Sequence, residues 1–565
     1  MADLVIRNGT VIDGSGTEPF EADVAIANGK IAAVGKVAER GTEEIDARGL
    51  LITPGFIDPH THYDGQATWS SRITPSSWNG VTTALFGNCG VGFAPCKPSQ
   101  RDMLVKLMEG VEDIPEVVLT EGLPWNWQSF PDFLDALSAR QYDMDIAAQV
   151  PHAALRVFVM GERGAEREPA TEQDRAEMAR LAAEGIKAGA LGFSTSRTLN
   201  HKTLDGRSIP SLGAAEAELK AIAGALASGW LQVISDFDDV EEEFAMLRRL
   251  VATSGRRMTI TILQRDNKPE EWRRLTGWIA EANAAGLPML GQVLTRATGV
   301  LLGFEISQNP FVNRPSYQTI ASLPFEQRIA ALRQPEFRAR LIAEGGDGGS
   351  MARRVSRWDR IFPLGEPPDY EPPAEASIAA MAACQGRAPE EVAYDLLLER
   401  DGKAILYRPL SNYSYGNLDT VHDMLTHDAT IVGLGDGGAH VGVLCDSSAI
   451  SYLLTHWTRD RKRARVPLPW AIKRLTCDSA TAIGLRDRGV IAPGYKADIN
   501  VIDYDRLQLR QPEVVYDLPS GGRRLIQRTD GYVATIVSGV PVYRDGEATG
   551  ALPGRLVRGA QSAPA

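Results

Sequence analysis

The chain has 565 residues, 44% of them hydrophobic and 23% charged, ordinary globular values that exclude a wholly disordered or fibrous protein. Acidic residues outnumber basic ones by 72 to 60, and a net charge of −12 argues against coating nucleic acid or an anionic membrane, both of which need a basic footprint. Five scattered cysteines imply no disulfide framework, no signal-peptide-like apolar run follows Met1, and no stretch is apolar enough to span a bilayer, so a soluble cytoplasmic protein is expected.

In chain order, residues 4–6, 11–12, 22–26 and 30–34 read as short strands. Asn8-Gly9, Asp13-Gly14 and Asn28-Gly29 separate them and supply the positive φ that tight turns need. The C-terminal part reads the same way, with strands at 497–502 and 532–537. Termini tend to lie close together, so the two ends are expected to form one small β-sandwich from residues 1–54 plus 485–565. Between them strands at 56–58, 81–86, 146–150, 191–194, 231–235, 258–263, 289–293 and 431–435 alternate with helical spacing at 172–188, 214–227, 240–252 and 270–285. That alternation predicts an α/β fold, a (β/α)8 TIM-like barrel over residues 55–484. From about 300 to 375 the alternation lapses among prolines and an Arg-rich helical piece at 325–344, an insertion expected to act as a lid.

The sharpest motif is Pro54-Gly55-Phe56-Ile57-Asp58-Pro59-His60-Thr61-His62. Residues i and i+2 of a strand share a face, so His60 and His62 converge at a strand's C-terminal end, where barrel active sites sit and where imidazoles bind zinc. A bare His-x-His is as readily a surface pair; the apolar strand leading into it, in a chain with only eight histidines, decides otherwise. A second motif, Gly433-Leu434-Gly435-Asp436-Gly437-Gly438-Ala439-His440, ends another apolar strand in an aspartate held among glycines, and by itself it also reads as a turn.

The phrases LVIRNGTVIDG, ADVAIANGKIAAVG, IDARGLLITPGFIDPHTH and GVIAPGYKADINVID strongly resemble the amidohydrolase superfamily. Gly87-Asn88-Cys89-Gly90, Val150-Pro151-His152 and Ala190-Leu191-Gly192-Phe193-Ser194-Thr195 make the chain most similar to the N-acyl-D-amino-acid deacylases. The resemblance implies a metal-dependent barrel with a β-sandwich from both termini. It implies that Cys89 is a metal ligand, and that Asp436 binds metal and shuttles the proton of the attacking water. It also exposes departures. The deacylases carry histidines at the ends of the fifth and sixth strands, where this chain has Ser235-Asp236-Phe237-Asp238 and Gln264-Arg265-Asp266. His60, His62, Cys89 and Asp436 therefore imply a single divalent metal, zinc before iron or manganese, with Asp236 as an optional extra ligand.

These residues predict a hydrolase of a non-peptide C–N bond, an N-acyl amide, with Asp436 as base and then acid. His152 is expected in the active site as an oxyanion or positioning group. Arg197, His201, His440 and Tyr317 are expected to contact substrate. The partner is a small-molecule amide, and a homo-oligomer is compatible with the reading. The rivals are a cyclic-amide hydrolase, a deaminase, and a non-catalytic binding member. The first lacks a bridging lysine in 192–197, the second lacks a His-x-x-Glu phrase near the fifth and sixth strands, and the third sits poorly with four intact ligands.

Overall fold

The computed structural model describes residues 2–203, 205–344 and 357–564. Both ends of the chain enter one nine-stranded sheet. Its seam is the antiparallel pairing of Leu51–Pro54 with Ile499–Ile502, which places Ile52 opposite Val501. Ile6, Val24, Ile26, Ile52, Ile499 and Ile536 bury one face of it. Asn28 (φ 51°) and Gly29 (φ 71°) make the expected hairpin turn. Asn8-Gly9 does not: Ala2–Val11 is a single strand, Asn8 has φ 59°, and the register against Phe20–Ala27 slips between Ile6 and Gly9, so the pair forms a bulge.

Inside this frame the strands run parallel. Phe56–Asp58, Val81–Phe86 and Asp145–Ala148 form one sheet. After Gln149, Val150–Pro151 begins a second, which continues through Gly192–Arg197, Trp230–Ser235, Arg257–Thr261 and Met289–Val293 to Thr430–Val432. The two sheets are joined at Gln149, where Leu191 N–H donates to Ala148 O (2.8 Å) and Gln149 N–H to Phe86 O (3.1 Å). At the far side the segment after Thr430–Val432 returns to the first strand. Asp436 N–H donates to His60 O (3.0 Å) and His62 N–H to Gly437 O (2.8 Å).

The connecting helices begin and end where their sequence says. Glu172–Ala188 starts at Thr171, whose hydroxyl accepts from Asp174 N–H, and stops at Gly189 with φ 117°. The expected helical piece at 325–344 is two helices, Phe325–Leu332 and Pro335–Ala343. Pro335 has no N–H to continue the first and is pre-shaped for the opening turn of the second. These helices belong to a separate hydrophobic cluster, with Phe304, Phe311, Leu332 and Tyr394, beside a small antiparallel sheet of Thr298–Leu302, Leu406–Ser411 and Phe362–Pro363. The break in alternation thus runs past 375; residues 345–356 of it lie outside the described residues. This unit touches the loop after Asp436: Leu301 N–H donates to Val443 O (2.9 Å) and Ser307 N–H to Gly442 O (3.1 Å).

A buried charge cluster fastens the C-terminal segment to the parallel strands. Asp145 lies 2.7 Å from Arg488 Nη1 and 3.0 Å from Lys496 Nζ, and Arg555 N–H donates to it as well (3.0 Å). Burial pushes the Asp145 carboxyl up, but Lys496 and Arg488 outweigh it and hold the group at about 2. Among the described residues no helix is long and apolar enough to cross a membrane.

Candidate metal centre

His60 and His62 follow the strand Phe56–Asp58, and Cys89 follows its parallel neighbour Val81–Phe86. All three are buried, with one ligand atom each inside a common 4.8 Å span. His60 Nε2 is 3.3 Å from Cys89 Sγ. From across the fold Asp436 brings Oδ1 to 3.4 Å from His60 Nε2 and 3.7 Å from His62 Nε2. That oxygen is buried with no hydrogen-bond partner. Such an atom is costly unless something positive sits beside it.

The backbone is bent to make this possible. Cys89 (φ 54°) and Asp436 (φ 43°) both adopt left-handed conformations, which non-glycine residues take only where the surroundings enforce them. The glycines around Asp436 allow close approach. A Cβ at Gly435 would lie 2.0 Å from Asp58 Oδ2, and one at Gly437 would lie 2.4 Å from the Tyr63 hydroxyl.

Three residues that the sequence did not single out set the ligands' directions. His60 Nδ1 meets Gln292 Oε1 at 2.6 Å. Cys89 N–H donates to Gln232 Oε1 at 2.7 Å. His62 Nδ1 stands 3.1 Å from Glu112 Oε1, an ion-pair approach without the direction of a hydrogen bond. Both imidazoles therefore turn Nε2 toward Asp436 and Cys89 and present Nδ1 to an outer partner.

The charges reflect this crowding. Burial lowers His60 to about 4. Burial also opposes a charge on His62, but Glu112, followed by Asp436 and Cys89, outweighs it and holds that ring well above its ordinary value. Burial would raise Asp436, yet His62 and His60 bring it to about 2. Burial pushes the Cys89 thiol up to about 11. Two imidazole nitrogens, a sulfur and an unpartnered carboxylate oxygen facing one point form a donor set suited to zinc, and a cation there would relieve both the buried carboxylate and the protonated thiol.

The remaining expected residues divide. His201 lies near the cluster: burial, then His440 and His62, lower it to about 3, and its Nδ1 meets Ser196 Oγ at 3.0 Å. His440 shares the loop of Asp436, with φ 49°. His152 differs from expectation. Its Nδ1 is 2.8 Å from Thr195 Oγ1 and its Nε2 2.7 Å from Glu218 Oε1, so neither nitrogen is left for an oxyanion. Glu218 also holds Arg156, which makes the trio a buried brace. Arg197 is engaged by Glu243 and donates to Ala214 O (2.8 Å), leaving no fork for a substrate anion. Tyr317 is packed in the 300–406 cluster with its ring stacked on Phe304, centroids 6.2 Å apart. Asp236 accepts from Thr198 Oγ1 (2.6 Å) and Leu199 N–H (2.7 Å); it pins a loop and stands outside the ligand cluster.

The amidohydrolase family model matches residues 43–543. The D-aminoacylase of Alcaligenes xylosoxydans xylosoxydans is 26% identical over 564 residues, covering 98% of this chain and 97% of that protein. The N-acyl-D-aspartate deacylase of the same organism is 28% identical over 576 residues, covering 100% and 96%. The solved structure of the N-acyl-D-glutamate deacylase from Bordetella bronchiseptica, complexed with zinc and a phosphonate mimic of the tetrahedral intermediate, shares the fold. Its TM-score is 0.65 at 22% identity, with 99% of each chain covered. With the family model spanning most of its length, the chain belongs to the amidohydrolase family.

Proposed function

We propose that the protein hydrolyses an N-acyl amide, in the manner of an N-acyl-D-amino-acid deacylase, with one zinc ion held by His60, His62, Cys89 and Asp436. One observation carries the reading: the unpartnered Asp436 Oδ1 faces two imidazole Nε2 atoms beside Cys89. Near-full-length relatives named D-aminoacylase and N-acyl-D-aspartate deacylase support the substrate class. A count of one metal is supported by the ends of the fifth and sixth strands. Asp236 is spent on Thr198 and Leu199, and Gln264 on Thr420 and Ser414.

The architecture that fits is a closed (β/α)8 barrel, counting residues 145–151 as one strand interrupted at Gln149. A β-sandwich of residues 1–54 plus 485–565 stands beside it, and the insertion beginning near 300 serves as the lid. The backbone bonds from Asp436 and His62 support closure.

When bound, a divalent cation supplies Lewis acidity toward a carbonyl oxygen and lowers the pKa of water. Asp436, ionised in its ordinary state here, accepts the proton of the attacking water at its carboxylate and returns it to the leaving nitrogen. His201, whose Nδ1 meets Ser196 Oγ, and His440, on the loop of Asp436, lie near the cluster and would hold the substrate's polar atoms. The test is a panel of N-acyl-D-amino acids, uncharged N-acyl amides and cyclic amides, assayed with and without chelator. Asp436→Asn should lower kcat by about 10²–10⁴-fold with the fold intact, as removal of a general base does. Near-native turnover in that variant, or turnover of cyclic amides alone, would refute the reading.

A further inference from the structure

Glu112 is the last residue of the helix Arg101–Glu112, on the buried side with Leu104 and Met108 at spacing four. A carboxylate on an apolar stripe needs a reason. Here both oxygens are buried with no hydrogen bond, and they lie at a helix C-terminus, whose dipole opposes negative charge. The ion-pair partner within reach is His62, through Nδ1 at 3.1 Å. The main chain fixes the arrangement as well: Val441 N–H donates to Glu112 O (3.2 Å), so the helix end is tied to the loop that carries Asp436.

We infer that Glu112 is a positioning residue for the metal. With a cation on the Nε2 side, His62 is neutral and carries its proton on Nδ1, the atom that stands 3.1 Å from Glu112 Oε1. A carboxylate there fixes the tautomer and the ring's direction, and makes Nε2 a stronger donor. His60 presents the same ring atom to the neutral amide of Gln292 instead. The two imidazoles are thus made unequal, His62 the more basic ligand and His60 the weaker one. This inference rests on the metal reading above. It adds a residue that binds neither metal nor substrate and acts through His62.

The experiment uses the full-length protein and zinc alone, with affinity read by competition against a chromophoric chelator. Glu112→Gln keeps the shape and removes the charge. Zinc affinity should fall about 10–100-fold, the usual effect of removing such an outer partner. A merely structural pair would lower the melting temperature of the metal-free protein and leave zinc affinity unchanged, and that result overturns the inference. So does zinc affinity within twofold of native. Glu112→Asp, which keeps the charge but withdraws it by one methylene, should bind zinc with intermediate affinity; native affinity there also overturns it. Glu109→Gln, one turn back on the same helix, should bind zinc as the native protein does, and an equal loss there would overturn the specific role of Glu112. If the native protein takes up no zinc, or Cys89→Ser takes it up unchanged, the metal reading fails first and is distinguished from failure of Glu112 alone.

Discussion

Asp145→Asn tests how far the buried charge cluster holds the C-terminal segment to the parallel strands. Removing the charge leaves neither cation stranded. Arg488 keeps Asp487 at 2.9 Å, and Lys496 keeps Asp498 at 2.7 Å. The loss should therefore fall below the ~3–5 kcal/mol of a buried charge left alone. A carboxyl moved from its ordinary 3.8 to about 2 corresponds to ~2.5 kcal/mol at neutral pH. The sign follows from the direction. The folded value is depressed, so the contribution is complete above the unfolded pKa and is lost as pH falls from about 4 through about 2. Linkage leaves about half, ~1.3 kcal/mol, at pH 3. Urea unfolding of native and variant protein at pH 7, 4 and 3 measures this, with the difference shrinking as pH falls. An equal difference at pH 7 and pH 3, or none at pH 7, would refute the electrostatic account.

Two further outcomes are expected. Tyr317→Ala should destabilise the 300–406 cluster by ~3–5 kcal/mol, as truncating a buried aromatic does, while KM stays within a factor of two in the folded fraction. A tenfold KM change without loss of stability would return Tyr317 to the substrate pocket. Stripping metal with a chelator should lower the melting temperature of the native protein, because zinc at a hundred times its Kd stabilises by ~2.7 kcal/mol, and His62→Ala should show no such shift. An unchanged native melting temperature on chelation would remove the cation from the folded centre.

The proposed ligands were legible in the sequence because each sits at the end of an apolar strand within a local phrase. His60 and His62 converge by strand geometry, while Cys89 and Asp436 are added by the resemblance. Their orienting partners were not. Gln292 and Gln232 lie far along the chain from His60 and Cys89, on strands whose neighbours only the closed fold defines. Glu112 left one trace, a carboxylate on the apolar side of its helix, among acidic residues that otherwise read as solvated. His152, Arg197 and Asp236 stand near strand ends as expected. Glu218, Glu243 and Thr198 occupy their polar atoms, which no local pattern reveals. Tyr317 was placed in a lid by the lapse in alternation, but that segment has a hydrophobic core of its own, and the ring belongs to it.

The seam between Leu51–Pro54 and Ile499–Ile502 bears on how the chain is made. On the ribosome the first strands emerge long before their partner. Ala2–Val11 and Phe20–Ala27 can pair at once, but Leu51–Pro54 must wait with an unpaired edge until residues beyond 500 have been synthesised. Contacts this distant in sequence form late, and an open apolar edge during the delay invites pairing with another nascent chain. The parallel strands between the two ends must therefore reach order without the sheet that later braces them. Asp145 likewise meets Arg488 only after 343 further residues have been added to the chain.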